Sequence, residues 1–244
     1  MIIQTKALVL SSLKYGDSGM IVHCFTRDSG LKSFFINGIF NTKKSKFKRS
    51  FFQPLNQLEL VTDFQNKGQL HSLKEVNLVR HYQEIHTEIV KQSMTLFLSE
   101  LLNQILKEES TDESLYDFLV QSIDLLDETT HTSHFHLVFL VQLIKQLGFY
   151  PIMDHEDTYF DLVEGKFVSH PQNQLYLEGD ALQRFVKVLQ SDLTQLSELK
   201  LTYPQRTETL EWLFQYMNLH IASFKKPKSL VVLQELYHQL CTPT

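Results

Sequence analysis

The sequence predicts an α+β protein of two domains, a small β-barrel in residues 1–80 and a mostly α-helical domain in residues 81–244. Three observations support this. Five short strand-like runs separated by Gly-, Asp- and Asn-containing turns fill the first 80 residues. Apolar residues recur at helical spacing after that point. The charge also changes sign there, because residues 1–80 carry 12 Lys and Arg against 5 Asp and Glu, and the remainder carry 11 against 23.

The five predicted strands span residues 3–13, 19–26, 31–39, 57–64 and 69–76. The fourth strand alternates with period two, which places Leu58, Leu60 and Thr62 on one face. Five short strands with one longer connection after the third are typical of a small closed barrel, and an oligonucleotide-binding (OB) fold fits their number and loop placement.

Helical spacing predicts helices over residues 85–106, 114–126, 135–147, 181–189, 207–224 and 229–240, with Pro204 and Pro227 as breaks. Residues 158–168 interrupt this pattern and predict a small β-hairpin about Glu164 and Gly165. We therefore expect a helical domain with one hairpin inserted.

Residues 42–54, with the sequence TKKSKFKRSFFQP, interleave aromatic rings with positive charges. A basic run attracts phosphates and gains free energy from counterion release, and aromatic faces offer platforms for unstacked bases. The alternative is a solvated loop whose phenylalanines anchor it to a core. We expect a single-stranded nucleic-acid surface whose phosphate contacts are Lys43, Lys44, Lys46, Lys48 and Arg49.

Four further residues are predicted to belong to this surface. Arg27 and Lys32 would extend it as a groove, and Phe34 and Phe47 are candidates for base stacking. Phe34 and Phe35 are neighbours on one strand, so one faces the core and the other faces outward, and the pattern leaves open which.

Nothing in the sequence indicates an enzyme, a cofactor or a metal. Cys24 and Cys241 lie far apart and form no zinc or disulfide framework. No phosphate-binding glycine loop or nucleophile elbow is present. The histidines at 131, 134 and 136 are more typical of a polar helix start than of a metal site, and the carboxylates at 154, 156, 157 and 161 of a solvated loop. No signal peptide or membrane-spanning run is visible, which favours a cytoplasmic protein.

The order of motifs along the chain resembles the RecO family of recombination mediators. Tyr15, Asp17, Phe25, Thr26 and Gly30 match the opening of that family's OB barrel. The basic run followed by Gln53-Pro54-Leu55, and the later step Leu147-Gly148-Phe149-x-Pro151, match two further family features.

The resemblance implies a non-enzymatic protein that binds and anneals single-stranded DNA and acts on gapped DNA. It implies partnership with RecR in replacing single-strand-binding protein (SSB) by RecA, recognition of the acidic C-terminal tail of SSB, and association with the nucleoid during repair. The rival hypotheses are a protein-interaction adaptor whose barrel binds no DNA, and a metal-dependent hydrolase using the acidic loop.

The chain departs from many family members because residues 152–173 lack the four cysteines of a zinc site. Zinc is therefore not expected. Apolar burial of a hairpin through Tyr159, Phe160, Leu162 and Phe167 is an alternative way to hold this segment.

A second candidate site combines aromatic residues of the helix predicted over residues 207–224 with the basic residues that follow it. A basic patch beside an apolar groove suits an acidic tail that ends in a carboxylate. The alternatives are a core-facing helix, on which Phe214 also lies, and a charged loop. The residues predicted for the SSB tail are Trp212, Tyr216, Lys225, Lys226 and Lys228.

Overall fold

The structure, a computed structural model, describes residues 2–41, 45–63, 70–106, 111–152, 158–222 and 224–241. The chain divides into two compact units, residues 1–127 with 227–229 and residues 128–226 with 230–244. The first unit holds the barrel and also two helices, α1 (Ile89–Ile105) and α2 (Glu113–Glu128). The compact units therefore divide later in the chain than residue 80, and a separate domain of residues 1–80 stays a prediction.

Five strands close into the predicted barrel: β1 (Ile2–Tyr15), β2 (Gly19–Thr26), β3 (Gly30–Ile36), β4 (Gln57–Asp63) and β5 (Leu70–Leu78). Their order around the barrel is β1-β2-β3-β5-β4. Neighbours are antiparallel except β3 and β5, which pair in parallel over three residues and close the barrel. Each predicted strand end lies within three residues of its position in the structure.

One long strand makes this closure possible. The first half of β1 pairs with β4 and the second half pairs with β2, with a shift of register between Val9 and Ser11. A bulge of this kind bends a strand and increases its twist, so that a single strand serves two parts of a barrel. The bend is held by Leu55, whose N–H donates to the Val9 carbonyl at 2.7 Å from a backbone with a φ of 61°.

The barrel interior is filled by alternate residues of its strands, as period two requires. Phe34 is fully buried in this core, whereas its neighbour Phe35 is half-exposed on the outer face. The other buried members of the core are Ala7, Val9, Met20, Val22, Cys24, Ile36, Ile39, Phe52, Leu58, Leu60 and Val76. The alternative that the sequence left open is thereby settled, with Phe34 inward and Phe35 outward.

The buried carboxylate of Asp127, near the end of α2, organises the segment that joins β5 to α1. It accepts the backbone N–H groups of Gln83, Glu84 and Ile85 at 2.8–3.0 Å. Burial alone would raise the pKa of Asp127, but these hydrogen bonds outweigh it and lower that pKa. This bonding explains why α1 begins at Ile89 instead of at the predicted residue 85, since Ile85 donates to Asp127 before the helix begins.

The second unit contains α3 (Phe135–Gln146), α4 (Gly179–Leu189), α5 (Tyr203–His220) and α6 (Leu230–Cys241). The prediction that Pro204 breaks the chain before a helix beginning at residue 207 was wrong. Pro204 lies in the first turn of α5, where a proline lacks no hydrogen bond that the helix needs. The side chain of Thr202 caps this turn.

A three-stranded sheet accompanies these helices. The predicted hairpin is present as β6 (Tyr159–Asp161) and β7 (Lys166–Val168), and a strand that was not predicted, β8 (Tyr176–Glu178), pairs with the other side of β6. β8 has only three residues, of which only Leu177 is buried, so the strand is too short for its sequence to show a period-two pattern.

Apolar burial holds this sheet, as the sequence predicted for a chain without the zinc cysteines. Phe160 and Leu162 are fully buried, and Phe160 packs against Phe167 and Phe185 with ring centroids 5.0 and 5.2 Å away. Within the described segments, no helix is both long enough and apolar enough to cross a bilayer.

Replacing Asp127 tests the joint between β5 and α1. We expect Asp127→Ala to lower the free energy of unfolding at pH 7 by about 2–4 kcal/mol, because three backbone donors lose their acceptor. The folded-state pKa lies below the ordinary value of 3.8. The carboxylate's contribution is therefore complete above about pH 5 and is lost as pH falls below about 4.

Denaturant unfolding of the wild type and of Asp127→Asn from pH 3 to pH 7 measures this dependence. The asparagine keeps the side-chain shape but does not titrate. A stability difference between the two proteins that stays constant over the whole range would contradict this role of Asp127.

Candidate nucleic-acid interface

The described part of the basic run, residues 45–49 and called the basic segment from here on, is anchored to the barrel by aromatic side chains. Phe52 is buried, and the half-buried Phe47 packs edge-on against it with ring centroids 6.4 Å apart. The Asn56 amide donates to the Ser50 and Phe51 carbonyls at 2.9 and 3.1 Å, which fixes the short 3₁₀ helix Arg49–Phe52. Phe47 therefore supports the segment, and its predicted role in base stacking stays a prediction.

The described basic side chains of this segment, Lys46, Lys48 and Arg49, are exposed. Lys46 is held in place, since its ammonium donates to the Lys74 carbonyl at 2.5 Å and lies 5.4 Å from the centre of the Phe47 ring. Lys43 and Lys44 lie outside the described residues. Lys46 is thus restrained before any ligand binds, which lowers the entropy lost when it holds a phosphate.

Phe40 brings a further cation to the basic segment. Its ring lies 5.6 Å from the Lys14 ammonium and 5.1 Å from the Arg49 guanidinium. Its backbone N–H donates to the Ser18 carbonyl at 3.3 Å, which ties it to the turn between β1 and β2. Lys14 and Phe40 were not predicted from the sequence. The available signal was their position beside the β1–β2 turn and the basic run, at a loop that OB folds use for ligands.

The exposed aromatic pair of this region is Tyr15 with Phe35. Their ring centroids are 5.8 Å apart at an interplanar angle of 82°, an edge-to-face contact. The prediction that Phe34 stacks on bases was wrong, because its ring is fully buried in the barrel core. Phe35 is the member of the pair of neighbours that reaches the outer face.

The position and ion pairs of Arg27 disfavour its predicted role in this surface. It follows β2 at the end opposite the Tyr15 turn, and its guanidinium pairs with Glu113 at 2.9 Å and with Asp117 at 3.2 Å. The hydrogen bond with Asp117 raises the pKa of Arg27 and lowers that of Asp117. Lys32 is half-buried on β3 opposite Cys24, and its contact with phosphate stays a prediction.

The residues predicted for the SSB tail differ in exposure and belong to both compact units. Tyr216 is buried, and its hydroxyl donates to the Phe149 carbonyl at 2.6 Å, so its predicted exposure in a groove was wrong. Trp212 is half-buried, and Lys225 and Lys226 are exposed. Lys228 belongs to the first compact unit, where its N–H donates to the Glu100 carboxylate at 2.9 Å.

Trp212 itself and Arg184 each carry a buried nitrogen donor. The indole Nε1 of Trp212 and the guanidinium Nε of Arg184 have no hydrogen-bond partner among the described residues. Arg184 pairs with Glu208, which lies one helical turn before Trp212 on the same face of α5. Lys226 pairs with Glu211 and lies 5.6 Å from the Phe214 ring centre. Arg184 was missed because it lies on a different helix.

Two of the three histidines predicted at the helix start, His134 and His136, are buried in the fold. His134 is buried, with its Nε2 3.3 Å from the Leu201 N–H nitrogen. Burial lowers the pKa of His136 to about 3, so this side chain is neutral at physiological pH. Asp161 accepts the N–H groups of Val163 and Glu164 and closes a turn. The acidic residues at 154, 156 and 157 lie outside the described residues.

Comparison with known proteins identifies the family. The family model "Recombination protein O N terminal" matches residues 1–82, and "Recombination protein O C terminal" matches residues 86–230. The chain is similar to the DNA repair protein RecO of Christiangramia forsetii, at 38% identity over 97% of this chain and 100% of that protein. It is 37% identical to RecO of Flavobacterium psychrophilum and 31% identical to RecO of Phocaeicola vulgatus, each over at least 96% of this chain and 99% of that protein. The chain therefore belongs to the RecO family of DNA repair proteins.

Proposed function

We propose that this chain is a non-enzymatic recombination mediator that binds single-stranded DNA on the barrel and anneals complementary strands. With RecR, it would help RecA replace SSB on gapped DNA, acting in the cytoplasm at the nucleoid. The observation that carries the DNA-binding part is the arrangement of Lys14 and Arg49 about Phe40, beside the exposed Lys46 and Lys48. A set of exposed cations on a barrel of this topology suits a flexible polyanion.

The chemistry of these groups favours sequence-tolerant binding. Lysine and arginine contacts to phosphates do not depend on the base sequence. They release counterions and reduce the repulsion between two strands. A strand held by its phosphates keeps the hydrogen-bonding edges of its bases available for a complementary strand. Binding of this kind is therefore compatible with annealing.

We further propose that the second unit recognises the SSB tail at Trp212, Lys225 and Lys226. The support is chemical, because an acidic apolar peptide with a terminal carboxylate needs cations, an aromatic surface and unsatisfied donors. The indole N–H of Trp212 and the Nε of Arg184 are buried donors that a carboxylate oxygen would satisfy.

Replacing basic residues of the basic segment by alanine tests the DNA site. For single strands, each phosphate neutralised contributes about −0.7 to the slope of log K against log salt. We expect Arg49→Ala to flatten that slope by about 0.7, and the triple variant Lys46→Ala/Lys48→Ala/Arg49→Ala to flatten it by roughly 2. The measurement is fluorescence anisotropy of a labelled oligonucleotide across a salt series.

Arg27→Ala is the matched control, since it removes the same side chain from a position already paired with Asp117 and Glu113. Its slope should equal that of the wild type. Equal slopes for Arg49→Ala and the wild type would exclude the basic segment as the DNA site. Absence of any binding at low salt would favour the adaptor hypothesis.

The chain's single tryptophan, Trp212, reports directly on the proposed tail site. We expect a tryptophan-free acidic peptide with a free C-terminal carboxylate to change the fluorescence of Trp212 on titration. Lys226→Ala should weaken this binding by about 5- to 30-fold, the effect of losing one charge-assisted contact.

The same peptide with an amidated C-terminus controls for the carboxylate, and Tyr216→Phe controls for a buried neighbour outside the site. Both forms of the peptide giving the same titration curve would contradict recognition of the terminal carboxylate at Trp212.

A further inference from the structure

The outer face of β1, β2 and β3 is covered by helices over only half of its length. Ser11 donates to Asn103 of α1 at 3.3 Å, and Phe25 lies under Tyr116 of α2 with ring centroids 6.3 Å apart. The ion pairs of Arg27 continue this cover to the end of β2. The covered half is therefore the one that ends at the turn between β2 and β3.

The other half of this face is open and apolar. Leu13 and Tyr15 are 58% and 57% exposed, and Ile21 and Phe35 are half-exposed beside them. Leu13 pairs with Ile21 across β1 and β2, and Ile21 pairs with Phe35 across β2 and β3. An exposed tyrosine among apolar neighbours on a strand face indicates a surface that contacts another molecule.

The aromatic pair on this open half is held in a fixed geometry. A Cβ atom at Gly19 would lie 2.7 Å from Cε2 of the Phe35 ring and 2.8 Å from the Tyr15 carbonyl oxygen. Phe35 thus lies over a position that only glycine leaves free, and its ring meets that of Tyr15 at 82°. The contact orients Tyr15 while more than half of its surface remains exposed.

Cations lie immediately beyond this pair. Lys14 precedes Tyr15 on β1 and points to the opposite side of the strand, where its ammonium lies over Phe40 together with Arg49. At this end of the β1–β2 hairpin, consecutive residues of β1 therefore carry an aromatic ring on one side of the strand and a positive charge on the other. Single-stranded nucleic acid presents the same alternation, since each base is followed by a phosphate.

We infer that Tyr15, positioned by Phe35, is a stacking site for an unpaired base of the strand whose phosphates bind the basic segment. The inference rests on the proposed function and adds to it the part of the ligand that the face recognises. It gives the protein a preference for single strands over duplex, because paired bases are stacked within the duplex and offer no free face. Stacking on a ring face is sequence-tolerant, in keeping with binding through phosphates.

Two oligonucleotides of equal length test this site, one carrying bases and one carrying abasic spacers at every position, so that only the bases differ. We expect Tyr15→Ala to weaken binding of the base-carrying strand by about 5- to 100-fold, the effect of losing one stacked base. Binding of the abasic strand and the salt slope should stay unchanged. Anisotropy titrations at constant salt, repeated over a salt series, measure both.

Two variants of Tyr15 and one of a distant residue act as controls. Tyr15→Phe keeps the ring and should bind both strands as the wild type does, whereas Tyr15→Leu keeps the apolar volume but should bind as Tyr15→Ala does. Ile2→Ala removes an equally exposed side chain, 60% exposed, from the opposite end of β1 and should change nothing.

The result separates this inference from the function on which it rests. If Tyr15→Ala binds both strands as the wild type does while Arg49→Ala flattens the salt slope, the stacking site is overturned and DNA binding stands. The open face would then suit an apolar protein segment. If the wild type binds neither strand at low salt, the proposed function and the stacking site are both overturned.

Discussion

Closure of the barrel by three residue pairs between β3 and β5 is the constraint on which the rest of the first unit depends. Ser33, Phe34 and Phe35 pair with Leu70, His71 and Ser72, and this register decides which side chain of β3 enters the core. A shift by one residue would expose Phe34 and bury Phe35. The antiparallel pairing of β2 with β3, which sets Met20 opposite Ile36, brings the β1–β2 turn beside the segment that follows β3, so the fold itself assembles Tyr15, Phe40 and Arg49.

The helices packed on the barrel divide its outer surface into two regions of different character. Carboxylates of α2 neutralise Arg27 at one end of β2, and the buried Asp127 fixes the connection that brings α1 into place. The opposite end keeps exposed rings and cations. Acidic side chains of α2 therefore pair with the arginine at one end of β2, whereas the opposite end carries exposed cations.

The sequence predicted the barrel well because closed barrels require period-two alternation and turn residues that are readable locally. It could not predict which of Phe34 and Phe35 faces inward. Alternation shows only that the two side chains lie on opposite faces of the strand, whereas closure of the barrel decides which face becomes the interior. The ion pairs of Arg27 could not be predicted for a related reason, since its partners Glu113 and Asp117 are distant in sequence. Lys14 and Phe40 were missed because they join the basic segment only through the folded β1–β2 turn. The buried hydroxyl contact of Tyr216 likewise depends on a carbonyl of Phe149 far away in the chain.

The central claim is that single-stranded DNA lies over the end of the barrel formed by the β1–β2 turn and the basic segment. Hydrogen–deuterium exchange of the full chain with and without an unlabelled oligonucleotide tests this most directly. We expect slower exchange in peptides covering residues 13–22 and 45–52, and unchanged exchange in those covering the turn at 27–30. Protection confined to the 27–30 turn or to the second unit would contradict it.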